Sequence, residues 1–348
     1  MRNFIALARD IKARYTLSLH GRLLRNKIKN RPAASILDPL WHEELGQGYS
    51  ALGKWFEAIA EYRTSESLGN NSGRVRLSLA RAYIGSGQVE LAMSKCRQVL
   101  DEGQSEFASE AQKITGEAKT AGSKPLTFLP ATTYSRMRAL AQHLSGLFEG
   151  PGFSVLDVGG GNGALSLFLP ESRYVLAEPS VNGISGEKLP FAGKFFDAVV
   201  SCHVLEHVPP ECRTAFLDSL CSKAKKYVLL LNPVADPMQQ DLERLKLLVE
   251  ITGADWAKEH LECTLPDLSE LRKFAESRNY GYREMPNGSR AAALALVFMR
   301  HYASRSVFNF LKRKMELERI DNFFNTVLLD SLDNKNSPND YLIELKVS

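Results

Sequence analysis

Residues 155–163 read VLDVGGGNG, a short apolar run that ends in a cluster of glycines. The run fits a buried strand, and glycines directly after a strand let the backbone turn sharply and approach a ligand closely. The same residues satisfy the pattern Gly159-x-Gly161-x-x-Ala164, which is typical of dinucleotide-binding turns. The glycines alone therefore fit either NAD or another adenosine cofactor.

Two carboxylates near this turn narrow the choice of cofactor. Asp157 lies two residues before Gly159, where its charge opposes a diphosphate but suits the cationic amino-acid end of S-adenosylmethionine. Glu178 ends the next apolar run, and a carboxylate there can accept hydrogen bonds from both ribose hydroxyls. Asp157 thus favours the sulfonium cofactor, whereas Glu178 supports an adenosine cofactor of any kind.

Three later blocks follow in order: EKLPF at 187–191, FDAVV at 196–200 and VLEHV at 204–208. With the glycine turn, they make residues 153–233 similar to the class I S-adenosylmethionine-dependent methyltransferases. The resemblance is to the branch that includes quinone-biosynthesis methyltransferases and many bacterial small-molecule and glycan methyltransferases. It implies S-adenosylmethionine as the cofactor.

The resemblance also implies which residues bind that cofactor. The methionine end is expected at Asp157, Gly159, Gly161 and Gly163, the ribose at Glu178, and the adenine at Ser185, Gly186, Glu187 and Leu189. Cys202 and His203, at the end of the expected fourth strand, are expected to line the methionine side of the pocket. Ser185 stands where this family commonly has the aspartate that contacts the adenine amine.

The whole C-terminal part predicts an α/β fold, because short apolar runs alternate with helical stretches from residue 153 onward. We expect a Rossmann-like class I methyltransferase sheet over 132–348, mostly parallel, with a final antiparallel hairpin. Residues 341–347, YLIELKV, predict the last strand, and about 290–330 predict a helical insertion.

A repeat precedes this fold. Leu45, Tyr49, Gly53 and Ala58 recur in the same order as Leu79, Tyr83, Gly87 and Ala92, and both the spacing and the residue set resemble the tetratricopeptide repeat. The pattern predicts an α-helical domain over 38–121, closed by a capping helix over 105–121, and a linker over 122–131. We expect its tyrosines to be packing residues, and the domain offers a surface for a protein partner.

Residues 1–32 predict a basic amphipathic helical arm. Residues 1–31 hold nine Lys or Arg against one acid, so the arm carries +8, whereas the whole chain of 348 residues carries only +4. The apolar side of the arm fits packing on the neighbouring domain or contact with an acidic membrane surface, and nucleic acid is the weakest option.

The composition predicts a water-soluble protein of the cytoplasm, and contact of the basic arm with the membrane would place it at the inner face. The chain is 44% hydrophobic and 24% charged, and its five cysteines form no CxxC pair and accompany no secretory signal. The longest apolar run, 291–299, has nine residues, which is far below the roughly 20 that a membrane-spanning helix needs.

Methyl transfer from a sulfonium needs little acid–base machinery, because the methyl group is already activated and has mainly to be aligned. A hydroxyl acceptor benefits from a base, and the candidates are His207, His260 and His203. Each of these also fits a purely structural role. No His, Cys and Asp cluster has metal-ligand spacing, so we expect no metal.

The predicted activity is O-methylation of a saccharide or of a lipid-linked glycan intermediate. This acceptor rests on a looser resemblance of 259–268 and 285–288 to methyltransferases encoded among bacterial surface-glycan genes. The alternatives are a quinone or another small aromatic acceptor, an NAD-dependent oxidoreductase, and a non-catalytic repeat scaffold with a degenerate methyltransferase domain.

Overall fold

The computed structural model describes residues 19–30, 33–235, 240–304, 310–331 and 336–348. Internal contacts divide the chain into two compact units. The helical unit comprises Met1–Lys124 and Gly160–Ser185, and the sheet unit comprises Pro125–Gly159 and Gly186–Ser348. Residues 160–185 thus group with the N-terminal helices, whereas the sequence placed them within 132–348. The predicted boundaries of independently folding domains stay a prediction.

Helices occur along the whole described chain. In chain order they are α1 (19–29), α2 (Pro39–Ala51), α3 (Trp55–Ser67), α4 (Gly73–Gly85), α5 (Val89–Asp101), α6 (Ala108–Thr120), α7 (Ala131–Leu147), α8 (Leu165–Phe168), α9 (Pro210–Lys223), α10 (Gln240–Thr252), α11 (Asp255–Cys263), α12 (Leu268–Ser277), α13 (Arg290–Ser304) and α14 (Phe310–Phe323). A short 3-10 helix covers Leu205–His207, and a π-helix covers Phe324–Leu328.

The repeat positions form the core between α2 and α5. Leu45, Tyr49 and Ala58 are buried, and so are their counterparts in the second repeat, Leu79, Tyr83 and Ala92. Gly53 and Gly87 end the turns between paired helices with φ values of 67° and 80°, a conformation that glycine adopts without strain. The N-terminal region is therefore helical and internally repeated, as predicted, and its identity as a tetratricopeptide repeat stays a prediction.

Strand β2 (Arg173–Ala177) exchanges hydrogen bonds with polar side chains of α3. The Leu176 N–H donates to Thr64 Oγ1 at 3.1 Å, and Ser67 Oγ donates to the Tyr174 carbonyl at 3.0 Å. Side chains of the repeat helix thus satisfy backbone groups that would otherwise need another strand. This contact explains why polar residues of α3, Thr64 among them, are buried.

Arg63 of α3 holds the chain that leads into β2. Its buried guanidinium donates to the carbonyls of Leu169 at 2.8 Å and Ser172 at 2.7 Å, and also to the carbonyl of Ser166. One rigid, always charged group therefore serves three backbone acceptors, a task that suits the guanidinium fork.

The loop after β2 is also tied to the first repeat. Tyr49 Oη donates to the Val181 carbonyl at 2.7 Å, and Asn182 Nδ2 donates to Glu61 Oε1 at 2.8 Å. The other oxygen of the Glu61 carboxylate lies 2.6 Å from His42 Nδ1. A chain of buried polar contacts therefore runs from α2 through α3 to the loop that follows Glu178.

The sheet unit contains β1 (Ser154–Val158), β3 (Phe196–Cys202), β4 (Ala224–Asn232), β5 (Gly281–Asn287) and β6 (Asp340–Lys346). Within the unit the strand order is β1-β3-β4-β6-β5. β1, β3 and β4 are parallel, and β6 lies antiparallel to both β4 and β5. The predicted α/β sheet with a final antiparallel pair is confirmed.

One strand assignment was wrong. The sequence placed Cys202 and His203 after a fourth strand, but β3, the third strand along the chain, is the one that ends at Cys202. Residues 178–195 form no strand, although all of them are described. This stretch contains Gly183, Gly186, Pro190 and Gly193, and such residues disfavour a regular ladder.

The arm is described only from residue 19. The expected amphipathic stretch at its start, 1–18, lies outside the described residues, whereas 19–29 form α1. A Cβ on Gly48 of α2 would lie 2.9 Å from Leu24 Cδ1, so α1 and α2 pack closely. Among the residues described, we find no helix with the length and hydropathy needed to cross a membrane.

Replacement of Arg63 by methionine tests the link between α3 and β2. Arg63→Met leaves three backbone carbonyls without their charged donor, so we expect the free energy of unfolding in urea to fall by about 3–5 kcal/mol. Arg97 is the matched control, because it occupies the equivalent repeat position but is exposed. Arg97→Met should cost less than about 1 kcal/mol, and equal losses in the two variants would contradict the link.

His42 should give the fold a pH dependence. Burial lowers the pKa of His42, but the Glu61 carboxylate, the Ile36 carbonyl and Asp38 together raise it above its usual value. A raised folded-state pKa means that this contribution to stability is complete below about pH 6.5 and is lost as the pH rises through the folded-state pKa.

We therefore expect the melting temperature of His42→Gln to fall further below that of the unaltered protein at about pH 6 than at about pH 9. The control is the same substitution at the exposed His20 of α1, which should change neither value. Thermal melts across this pH range make the measurement. A deficit that is independent of pH would show that His42 does not titrate with folding.

Candidate functional site

The glycine turn after β1 has the backbone that the sequence predicts. Gly159, Gly161 and Gly163 have φ values of 72°, 56° and 78°, in the left-handed region that favours glycine. A Cβ on Gly159 would lie 2.3 Å from Val204 Cγ2, so a side chain does not fit there. Gly159 is therefore required for both conformation and space, whereas nothing lies within 4 Å of a Cβ on Gly161, so conformation alone favours glycine there.

Asp157 lies within β1, one residue before the strand ends. It is 2% exposed, and its backbone is in register with Val200 of β3. A carboxylate buried at the end of a parallel strand is placed where such sheets bind ligands, outside the carboxyl ends of their strands. Its predicted contact with the methionine amine stays a prediction.

Glu178 follows β2 and organises the backbone around it. The Gly161 N–H donates to Glu178 Oε2 at 3.1 Å, while the Ser180 N–H and hydroxyl donate to Oε1 at 3.0 and 2.7 Å. A carboxylate has about four acceptor positions, so these three bonds leave about one for a ribose hydroxyl. Glu178 thus connects the predicted ribose position to the glycine turn.

The expected adenine segment has a mixed environment. Leu189 is buried, Glu187 is exposed, and Ser185 and Gly186 are half-buried. A Cβ on Gly186 would lie 2.7 Å from Phe216 Cε2 and 2.8 Å from Val158 Cγ1, so the backbone passes close to β1 there. The role of these four residues in adenine binding stays a prediction.

His203 directly follows β3 and bridges two buried carboxylates. Its Nδ1 lies 3.0 Å from Glu206 Oε1, and its Nε2 lies 3.1 Å from Asp340 Oδ1. Burial lowers the pKa of His203, but Asp340 and Glu206 raise it above the usual value despite the opposing charge of Arg136. His203 also has a φ of 56°, an unfavourable backbone conformation that these ion pairs help to hold.

The two carboxylates respond in the opposite direction. Burial raises the pKa of each, but His203 lowers both pKa values below the usual range. Asn232 Nδ2 also donates to Glu206 Oε2. Cys202, the neighbouring residue, is half-buried, and burial raises the pKa of its thiol. A neutral thiol is a poor nucleophile, so Cys202 is suited to lining a site and not to attack.

His207 and His260 form a second polar cluster. Their Nε2 atoms lie 3.3 Å apart, although 53 residues separate them in the chain. His207 Nδ1 lies 2.8 Å from Glu259 Oε2, at ion-pair distance. Burial lowers the pKa of His260 to about 4, so His260 is neutral near pH 7.

The three histidines predicted as candidate bases line one cavity of about 450 Å³ in the sheet unit. Its polar lining includes His203, His207 and His260, together with Arg136, Arg244 and Arg290. Much of the remaining wall is apolar, with Val234, Leu245, Leu248, Leu265, Leu296 and Phe324. A volume of this size suits a small-molecule ligand.

Sequence reasoning missed several residues of this site. No sequence motif links Asp340 to His203, which lies far earlier in the chain. Arg136 lies before the first strand, outside the motifs that predicted the site. Glu206 was not among the predicted site residues. The sequence also predicted no metal, yet Glu206, His207 and His260 place their ligand atoms within 4.8 Å of one another.

Comparison with known proteins gives the class of this domain. Residues 130–284 match the model of a family described as a methyltransferase domain. That segment is therefore a methyltransferase domain, the class predicted from the motifs over 153–233. A search of curated proteins finds no match.

Several solved structures are similar to this chain. A putative methyltransferase from an antibiotic biosynthesis pathway of Anabaena variabilis is 16% identical, with 61% of this chain and 99% of that chain covered and a TM-score of 0.40. The YcgJ protein of Bacillus subtilis is 15% identical, with 61% and 97% covered and a TM-score of 0.37. Magnesium protoporphyrin IX methyltransferase of Synechocystis, with bound S-adenosylhomocysteine, is 18% identical, with 46% and 78% covered and a TM-score of 0.36.

Proposed function

We propose that this protein transfers the methyl group of S-adenosylmethionine to a hydroxyl oxygen of an acceptor bound in the cavity of the sheet unit. The observation that carries the proposal is the left-handed glycine turn that begins two residues after the buried Asp157, within the segment that matches the methyltransferase family model. Asp157 and the glycines bind the methionine end, and Glu178 binds the ribose. Ser185, Gly186, Glu187 and Leu189 surround the adenine.

The reaction asks the protein chiefly for alignment and exclusion of water. The sulfonium activates the methyl group, so the acceptor oxygen has to be held in line with the methyl carbon and the sulfur. A base assists when the acceptor is a hydroxyl, and His207 is the candidate that the contacts favour, because it lines the cavity and its Nδ1 lies 2.8 Å from Glu259 Oε2. His260 is a weaker base, since its pKa is about 4.

A saccharide or a lipid-linked glycan intermediate is our first choice of acceptor. The two segments that resemble surface-glycan methyltransferases, 259–268 and 285–288, both contribute to the cavity wall, through His260 and Leu265 and through Asn287 and Gly288. Arginine side chains in the wall suit an acceptor that carries an anionic group such as a phosphate.

A quinone or another small aromatic acceptor is the second candidate. Trp256 and Phe324 lie in the wall together with several leucines, and flat apolar surfaces of this kind favour an aromatic ring. Both candidates place a hydroxyl oxygen among the cavity histidines. They differ in the rest of the molecule, and a product analysis distinguishes them.

Substitution of the two cofactor carboxylates tests the donor. Asp157→Ala and Glu178→Ala each remove a charged acceptor, so we expect the affinity for S-adenosylhomocysteine to fall by about 10- to 100-fold, which corresponds to about 1.5–3 kcal/mol. Titration calorimetry makes the measurement, and the exposed Glu149 supplies the control through Glu149→Ala. Tight binding of NAD without binding of S-adenosylhomocysteine would identify an oxidoreductase and refute the proposal.

Labelled S-adenosylmethionine tests the acceptor. Incubation of the purified protein with fractionated lipid and glycan extracts should place label in a glycan or lipid-linked glycan, and mass spectrometry should locate the methyl group on oxygen. Label in a quinone fraction would select the second candidate. Cofactor binding without label in any fraction would favour a non-catalytic repeat scaffold.

A further inference from the structure

Glu206, His207 and His260 converge from two parts of the sheet unit. Glu206 and His207 belong to the 3-10 helix after β3, whereas His260 lies near the end of α11. One ligand atom from each residue lies within 4.8 Å of the other two. The set combines two imidazoles and one carboxylate, a donor combination found in catalytic zinc sites.

We propose that these three residues bind a divalent transition-metal ion at the wall of the cavity, and that zinc is the ion best suited to them. The distance of 3.3 Å between His207 Nε2 and His260 Nε2 supports the assignment. Two imidazole nitrogens that bind one tetrahedral zinc at about 2.0–2.1 Å lie about 3.3 Å from each other. Glu206 Oε1 lies 3.9 Å from His260 Nε2, so a small side-chain movement completes the set.

The surroundings of the three residues orient them as an ion site requires. Glu259 Oε2 lies 2.8 Å from His207 Nδ1, which leaves Nε2 as the nitrogen that faces His260. Asn232 Nδ2 donates to Glu206 Oε2, which leaves Oε1 on the side of the histidines. Carboxylate and amide partners of this kind fix the ligands of protein metal sites and increase their basicity.

Burial gives a reason for a cation at this position. Glu206 is 0% exposed and His260 is 6% exposed, so the Glu206 charge lies away from solvent. His203 lies 3.0 Å from Glu206 Oε1 and already offsets part of that charge while it also contacts Asp340. A cation bound by Glu206 Oε1 would add compensation that water does not supply.

Three protein ligands leave one position of a tetrahedral ion open. Both His207 and His260 line the cavity, so that position faces the space assigned to the acceptor. The ligand class expected there is an oxygen donor, such as the acceptor hydroxyl. When His207 Nε2 binds the ion, His207 no longer serves as the base, and the ion assists instead by making the bound hydroxyl more acidic. This last step rests on the proposed function, whereas the ion site itself does not.

The test is a zinc titration of the full-length protein, prepared without a histidine tag and treated with a chelator. Calorimetry in the presence of a competing chelator should give one ion per chain with a submicromolar Kd. Cobalt(II) in place of zinc should give the visible absorption of a tetrahedral site, a signal that a hydrogen-bonded pair of histidines does not produce.

The substitutions His207→Gln and His260→Gln should each weaken zinc binding by at least 10-fold and abolish the cobalt absorption. Glu259→Gln should weaken binding by about 10-fold, since it removes only the partner of a ligand. The control is His20→Gln, because His20 is an exposed histidine in the helical unit. His207 is less buried than His260, so its variant keeps the test valid if His260→Gln fails to fold.

Two results would overturn the site. Absence of stoichiometric zinc binding would show that His207 and His260 form only a hydrogen bond with each other. Binding that is unchanged in folded His207→Gln would place the ion elsewhere. S-adenosylhomocysteine is titrated into the same samples. A protein that binds S-adenosylhomocysteine but not zinc refutes only the ion site. A protein that binds zinc but not S-adenosylhomocysteine refutes only the proposed methyl donor.

Discussion

Buried polar groups need partners, and in the helical unit this requirement determines how α3 and β2 are arranged. The backbone of β2 and of the segment before it carries N–H and C=O groups that are shielded from water. Thr64 and Arg63 supply the missing donors and acceptors. An unpaired buried backbone group costs about 1–3 kcal/mol, so these contacts decide which helix covers the strand. The loop that follows Glu178 is held by separate hydrogen bonds of the same kind, from Tyr49 to the Val181 carbonyl and from Asn182 to Glu61.

The sheet unit meets the same requirement with charges. Asp340 is buried at the start of β6, Glu206 is buried in the 3-10 helix after β3, and His203 lies between the two carboxylates. A charge removed from water is tolerated only when it is paired, and His203 accepts an unfavourable φ to make both contacts. This cluster brings the start of β6 close to the end of β3.

The two helix pairs of the repeat region make different contacts. Its first helix pair binds β2 and the adjoining loop, whereas the second pair keeps its equivalent arginine in solvent. Arg63 and Arg97 occupy the same position in successive repeats, and only the first is buried. A repeat that normally builds a binding surface here supplies, in its first copy, structural support for the predicted ribose-binding loop.

Local chemistry let the sequence alone determine much of this protein. The glycine turn after β1 was predictable because only glycine adopts those φ values without strain, and the regular spacing of the repeat predicted the helical core. The alternation of apolar runs and helices predicted the sheet, except that 178–195 form no strand. Tertiary structure alone decided that α3 pairs with β2, that Asp340 meets His203, and that His260 meets His207. Those contacts join residues far apart in the chain, and no local pattern encodes which distant group satisfies a buried charge or a backbone N–H.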